Sequence, residues 1–213
     1  KDDIVRPLFG WKDKDTGLRK YRTCYVEIPR KNGKSNLAAA LILYILFEGE
    51  PGAELISAAG DRGQANIVFS IAKDMINNNR HLRSRCKVLR NVIEYKNCWY
   101  KSISAEAYTK HGLNCHGIIF DELHTQPNRE LWDVLTTSVG ARRQPLIISL
   151  TTAGHDRASI CYEMHEYSEG VLNGSIEDDS FLPVLYKAEP DDDWTDPETW
   201  KKANPGYGSI CNE

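Results

Sequence analysis

The sequence predicts an α/β domain, a mainly parallel sheet with helices on both faces, and three observations carry that reading. Short apolar runs alternate along the chain with longer stretches of helical periodicity. A Gly33-Lys34-Ser35 triplet follows the first apolar run and opens an apolar helix, and a later apolar run ends in two acids, Asp121 and Glu122. In an open sheet of this kind ligands sit outside the carboxyl ends of the strands.

Lys1 to Lys20 is polar and turn-rich, with Gly10, Asp13, Asp15 and Gly17, and is expected to be irregular. Tyr21 to Ile28 is dense in aromatic and β-branched residues and predicts a strand. Asn36 to Phe47 is almost wholly apolar and rich in Leu and Ala, so it predicts a helix buried on most sides, stopping before Gly49 and Pro51. Ala53 to Ala59 is a second strand. Asp61 reads as the cap of a helix through Asn79, with Ile67, Ile71 and Met75 spaced four apart. Two or three short strands are expected between Cys86 and Ser104. Two more strands, in "HGIIFDE" and "PLIISLTTAG", flank a helix from Asn128 to Val139. A helix from Ala158 to Leu172 and a strand from Phe181 to Lys187 complete a domain spanning residues 1–189. Residues 190–213, rich in Pro, Asp and Gly, are expected to be a surface linker, and Asp191-Asp192-Asp193 within it a solvated stretch rather than a converging ligand set.

Net charge is -3 over 213 residues, so no global basic field points to nucleic acid, and such contact needs a local patch. The candidates are "NRHLRSRCKVLRN", from Asn79 to Asn91, and Arg142-Arg143; solvated faces are the plainer reading of both. The six cysteines contain no C-x-x-C pair, which argues against a zinc site or a disulfide framework and for reduced thiols inside a cell. Leu37 to Phe47 is too short to span a bilayer, so no membrane is expected among the partners. The histidines, His116 and His124 among them, and the five tryptophans are expected to pack or to lie at the polar surface.

A bare Gly-Lys-Ser/Thr triplet arises by chance in roughly one of ten chains this long, so its setting has to carry the reading. Here it lies between a strand and a buried helix, where backbone N–H groups and a helix N-terminus face phosphate oxygens. Lys34 would then reach the β- and γ-phosphates, and Ser35 would be a Mg²⁺ ligand. The glycine that usually opens this loop is replaced by Ile28. Arg30 and Lys31 put cationic side chains inside the loop, where Arg30 could act as an arginine finger in cis or pair with surface acids. At the end of the apolar strand in "HGIIFDE" Asp121 would hold Mg²⁺ through water, and Glu122 would take a proton from attacking water, which favours hydrolysis over transfer to a small acceptor. Thr151-Thr152, ending the next strand, would sense the γ-phosphate and relay its loss.

With those residues in place, the chain resembles the ATPase domain of tailed-bacteriophage large terminase subunits over almost its full length. The stretches that carry the resemblance are "LFGWKDKDTGLRKYR", "PRKNGKSNLAAAL" as a deviant Walker A, "GIIFDELH" as Walker B, "TTAG" as the coupling motif, and "WKKANPGYG". The resemblance implies a RecA-like (ASCE) P-loop NTPase that hydrolyses ATP with Mg²⁺ and assembles as a ring on the procapsid portal vertex to drive double-stranded DNA inward. It implies partners in the portal protein and the small terminase subunit, a location in the host cytoplasm and transiently at that vertex, and phosphate contacts from Arg30, Lys31, Asn32, Gly33, Lys34, Ser35 and Asn36. Two departures are visible. No Gln occurs before Gln64 to contact adenine, and where relatives carry a trans-acting arginine this chain has Lys110-His111-Gly112, leaving Lys110, Arg142 or Arg143 as substitutes. The carboxyl-terminal nuclease of such proteins is expected to be absent, with no nuclease activity from this chain. The rival reading is a helicase-like or other nucleic-acid-remodelling P-loop ATPase, prompted by "DELH", which calls for a second RecA-like domain.

Overall fold

A computed structural model describes residues 2–105 and 112–210. In chain order the elements are α1 (Val5–Gly10), β1 (Thr23–Glu27), α2 (Lys34–Glu48), β2 (Glu54–Ala59), α3 (Arg62–Asn77), α4 (Arg80–Arg83), β3 (Lys87–Val88), β4 (Ile93–Tyr95), β5 (Cys98–Ser104), β6 (Cys115–Asp121), a 3₁₀ turn (Leu123–Thr125), α5 (Glu130–Thr137), β7 (Leu146–Thr151), α6 (Ile160–Leu172), β8 (Phe181–Leu185) and α7 (Pro197–Ala203). The strands form one sheet in the order β3-β4-β5-β2-β6-β7-β1-β8. From β5 to β8 every neighbouring pair is parallel, and β3 and β4 add an antiparallel edge.

The near-continuous apolar runs of β6 and β7 follow from this topology, because central parallel strands are covered on both faces. Every residue of both strands is buried. One face is covered by α1, α2 and α3, the other by α5 and α6, as two separate apolar clusters show. The leucine- and alanine-rich α2 is the most enclosed helix, with Ile42 and Leu46 almost fully buried. Truncating Ile42 to Ala would cost about 2–5 kcal/mol through lost transfer energy and a cavity. The ring of Trp132 packs 4.7 Å from that of Phe120 and His116 is buried, both as expected of packing residues.

Register brings the functional ends together. Glu27 pairs with Thr151 and Asp121 with Leu150, so β1, β6 and β7 terminate at one edge. Since β7 lies between β1 and β6, the loop after β1 and the acids after β6 face each other across the end of one strand.

The structure adds detail to the sequence reading in three places. Residues 1–20 are not all irregular: α1 forms there, burying Ile4 and Leu8, with the Phe9 ring 4.6 Å from Tyr44 of α2. On α3, capped by Asp61 as expected, the buried row is Ala65, Val68, Phe69, Ala72 and Ile76, while Ile67 is 45% exposed. The row at four-residue spacing flanks the core-facing stripe because α3 lies across both α2 and the sheet. In residues 190–210, part of the stretch expected to be a surface linker, the chain forms α7, capped by Asp196 with Pro197 at its start, and then turns back to touch the loop after β1. No described helix is long and apolar enough to cross a membrane.

Candidate active site

Ile28 continues the β1 ladder, its N–H donating to Thr151 O at 3.0 Å, so the missing glycine position belongs to the strand and the turn begins at Pro29. Two residues of the following loop have left-handed backbones, Lys31 at φ 70° and Gly33 at φ 75°. Gly33 is the N-cap of α2 and has no side chain to offer, so no side chain caps the first turn of a 15-residue buried helix. Its orphan N–H groups and the positive end of the helix dipole are left for an anion.

Lys34 is buried at the head of α2. Its Nζ donates to the carbonyls of Ile28 (3.3 Å) and Pro29 (3.4 Å) and lies 3.5 Å from Oε1 of Glu122. Next to it the Ser35 hydroxyl donates to Oδ2 of Asp121 at 3.0 Å. The other carboxylate oxygen of Asp121, Oδ1, is buried with no hydrogen-bond partner. Burial pushes the Asp121 carboxyl up to about 6, against the Ser35 hydrogen bond and nearby Lys34, which favour its charged form. A hydroxyl beside a carboxylate with one oxygen unspent is the hard-oxygen donor set that Mg²⁺ takes, so the residues fit that ion.

Glu122 is a non-glycine residue in the left-handed region, at φ 52° and ψ 56°. That conformation costs about 1–2 kcal/mol and persists only where surroundings enforce it, a pattern found at functional sites. Here the Glu122 N–H is tied to Leu150 O at 2.8 Å, and the 3₁₀ turn begins immediately after it. The carboxylate is thereby turned back toward Lys34.

Thr151 and Thr152, both buried at the end of β7, are joined to this turn by His124, which the sequence predicts only to pack or to lie at the polar surface. His124 donates its backbone N–H to Thr151 Oγ1 (3.2 Å), and its Nδ1 lies 3.0 Å from Thr151 Oγ1 and 3.3 Å from Thr152 Oγ1. The same Nδ1 is 3.3 Å from Oε2 of Glu122, in ion-pair range but without hydrogen-bond alignment. Burial holds the His124 pKa below its ordinary value; Glu122 opposes this, and Lys34 and Arg30 reinforce it. Its place three residues after Asp121, the acid that ends β6, is the only sequence signal. Nearby Gln126 is also buried, with both amide atoms unpartnered.

The remaining candidates are distributed unevenly. Arg30 and Lys31 are exposed on the loop rim and Asn36 on the outer side of the first turn of α2. Asn32 points back into the fold, bonded to the tail. Arg142 is fully engaged, donating to the carbonyls of Asn114 (3.0 Å) and Gly52 (2.6 Å) at the edge where strands begin, which makes it a clamp and not a free finger. Arg143 is exposed at that same edge, and Lys110 lies outside the described residues. The patch from Asn79 to Asn91 falls on α4 and β3, with Arg80, Arg83 and Arg90 exposed. Asp192 and Asp193 serve local turns, Asp192 pairing with Lys202 and Asp193 accepting from Thr195.

An uncapped helix N-terminus after β1, a lysine and serine at its head, and an acidic pair two strands away define a RecA-like P-loop nucleotide hydrolase. Within that class the chain belongs to the family described as "Terminase large subunit, ATPase domain", whose model matches residues 2–170. It is 31% identical over 196 residues to the large terminase subunit of Enterobacteria phage HK97, spanning 88% of this chain and 38% of that protein. The crystal structure of the HK97 large terminase superposes with a TM-score of 0.85 at 28% identity, covering 99% of this chain and 43% of that one. The large terminase of a thermophilic bacteriophage, solved in complex with ATP-gamma-S, shares the fold at a TM-score of 0.59 and 15% identity, over 86% of this chain and 43% of that chain. The chain thus spans less than half the length of the curated relatives it matches.

Proposed function

We propose that this domain hydrolyses ATP on the Glu122–Asp121 edge of the sheet and, as part of a ring-forming large terminase, converts hydrolysis into movement of double-stranded DNA into a procapsid. The observation that carries the reading is the meeting of Ser35 with Asp121 at 3.0 Å and of Lys34 with Glu122 at 3.5 Å, four residues from two distant motifs placed around one uncapped helix N-terminus. Ser35 and Asp121 would hold Mg²⁺, which when bound neutralises charge on the phosphate oxygens. The thermophilic phage terminase in complex with ATP-gamma-S supports an adenine nucleotide as the ligand.

In the described state Lys34 is held by Ile28 O, Pro29 O and Glu122. Arrival of phosphate oxygens offers its ammonium a stronger anionic partner, which draws Lys34 off Glu122 and leaves that carboxylate free to accept a proton from water. The α2 N–H groups hold the phosphates, and Arg30, exposed on the loop, would swing over charge growing on the transferred group. As charge leaves, Thr151 and Thr152 report the change to the loop after β7. The partners in this reading are the portal protein, the small terminase subunit and neighbouring copies of the chain, at the procapsid vertex in the host cytoplasm. The exposed arginines of α4 offer a surface for DNA phosphates.

The test is Mg²⁺-dependent ATPase activity with and without duplex DNA, alongside the Ser35→Ala variant. Loss of turnover with Ser35→Ala supports the reading. Wild-type protein that neither binds nor cleaves ATP would overturn it.

A further inference from the structure

The stretch "WKKANPGYG" has no part in the chemistry above, yet the fold brings its Gly206 N–H 2.8 Å from Asn32 Oδ1 of the phosphate loop. Asn32 sits between the two left-handed residues, Lys31 and Gly33, so its placement governs where the loop's N–H groups point. Its side-chain amide is the meeting point of loop and tail. Nδ2 shares its protons among Pro29 O (3.2 Å), Arg30 O (3.2 Å) and Asn204 Oδ1 (3.4 Å), while Oδ1 accepts the Gly206 N–H at 2.8 Å.

The tail is built to deliver these groups. Asp196 caps α7, Asn204 Nδ2 donates to Trp200 O at 3.1 Å, and Tyr207 N–H returns to Asn204 O at 2.9 Å, so helix and turn form one unit. Gly206 is buried, and a Cβ there would stand 2.7 Å from Asn32 Oδ1. Only glycine permits that approach. None of the described hydrogen bonds of residues 204–208 reaches Asp121, Glu122, His124 or Thr151.

We propose that the turn from Asn204 to Gly208 is a positioning element of the nucleotide site, acting through Asn32 to hold the phosphate loop in its receiving conformation and so to set nucleotide affinity, not the rate of the chemical step. The proposal rests on the ATP reading of that loop. A binding energy that depends on a segment about 170 residues away in sequence also ties loop occupancy to the position of α7.

The test measures the Kd of a fluorescent ADP analogue with Mg²⁺, and KM and kcat for ATP, in the wild-type chain and in Gly206→Ala, Asn204→Leu, Asn204→Asp, Asn32→Ala and the Asn32→Ala/Gly206→Ala double variant. Disturbing the Asn32 contact, by the Cβ clash in Gly206→Ala or by loss of the Asn204 amide in Asn204→Leu, should raise Kd and KM about three- to tenfold, with kcat held within about twofold. Asn204→Asp keeps an acceptor for Asn32 Nδ2 but loses the donor to Trp200 O, so its affinity should fall no further than that of Asn204→Leu. The double variant should bind no worse than Asn32→Ala alone, because the atom that Gly206→Ala strikes is gone. Wild-type affinity in both Gly206→Ala and Asn204→Leu, or additive losses in the double variant, would overturn the proposal. Failure of the wild type itself to bind the analogue would instead overturn the ATP reading.

Discussion

The two edges of the sheet use similar residues for opposite ends. Where the strands begin, charged groups are spent on the fold. Arg19 donates to the carbonyls of Tyr21, Gln144 and Pro145, Arg142 to those of Asn114 and Gly52, and Glu50 accepts from Gln144 N–H. The buried polar atoms left over there, His116 Nδ1 and Asn114 Oδ1, belong to neutral or easily neutralised groups. Where the strands end, charge is left incompletely matched: Asp121 Oδ1 and Glu122 Oε2 lack hydrogen-bond partners, Glu122 is in a strained backbone region, and α2 has no cap. Charge spent on hydrogen bonds marks the structural edge, and charge left unspent marks the edge that meets a ligand.

The sharpest way to break this contrast is to change one group at each edge. Glu122→Gln keeps the shape and removes the base, so kcat for ATP should fall by about a thousandfold while nucleotide affinity is retained. Unchanged turnover would end the general-base assignment. Arg19→Ala at the other edge leaves three carbonyls short of a donor and should lower stability by about 2–4 kcal/mol, read by urea denaturation, while the folded fraction keeps its turnover. If Arg19→Ala instead abolished catalysis in a stable protein, the division between the edges would be wrong.

Much of that division was readable from the chain. The apolar runs ending in Asp121-Glu122 and Thr151-Thr152 could hardly be anything but covered strands, and parallel order then puts their polar ends on one edge. What could not be read arises from tertiary contact. α1 is six residues long with Pro7 inside it, too short for periodicity, and owes its helix to Ile4 and Leu8 packing and to Phe9 on Tyr44. α7 and the turn after it look like linker until Asn32 and Gly206 are seen to meet. Glu122 carries no sequence mark of its left-handed backbone.

A smaller effect with a defined sign separates function from stability at Asp121. Its carboxyl is raised from 3.8 to about 6 by burial, so the folded chain holds that proton more tightly than the unfolded chain does. Native stability therefore declines as pH climbs from the unfolded value through about 6, and Asp121→Asn should relieve the loss. Without metal, the variant should gain on the order of 1–3 kcal/mol at pH 8 and nothing at pH 3, measured by denaturant titration at both. It should also lose Mg²⁺-dependent turnover. A variant less stable than wild type at pH 8 would show that the carboxylate is better satisfied than its orphan Oδ1 indicates.

The smallest effect expected is at His124, where the two kinds of polarity meet in one ring. Nδ1 faces Thr151, Thr152 and Glu122, yet a neutral imidazole nitrogen serves one hydrogen bond at a time, as donor or as acceptor. Because burial lowers its pKa, the ring stays neutral at neutral pH and does not draw the Glu122 carboxylate into an ion pair; protonation in acid would do so and compete with water for the base. His124→Gln retains a polar group of similar reach, whereas His124→Ala frees both the carboxylate and the threonines. Removing that support should lower kcat about three- to tenfold in His124→Ala, with KM for ATP nearly unchanged because the phosphate loop is untouched. His124→Gln should recover most of the rate. A His124→Ala variant that raised KM and spared kcat would move the histidine from the base to the phosphates, and the line drawn between binding and chemistry at this edge would have to be redrawn.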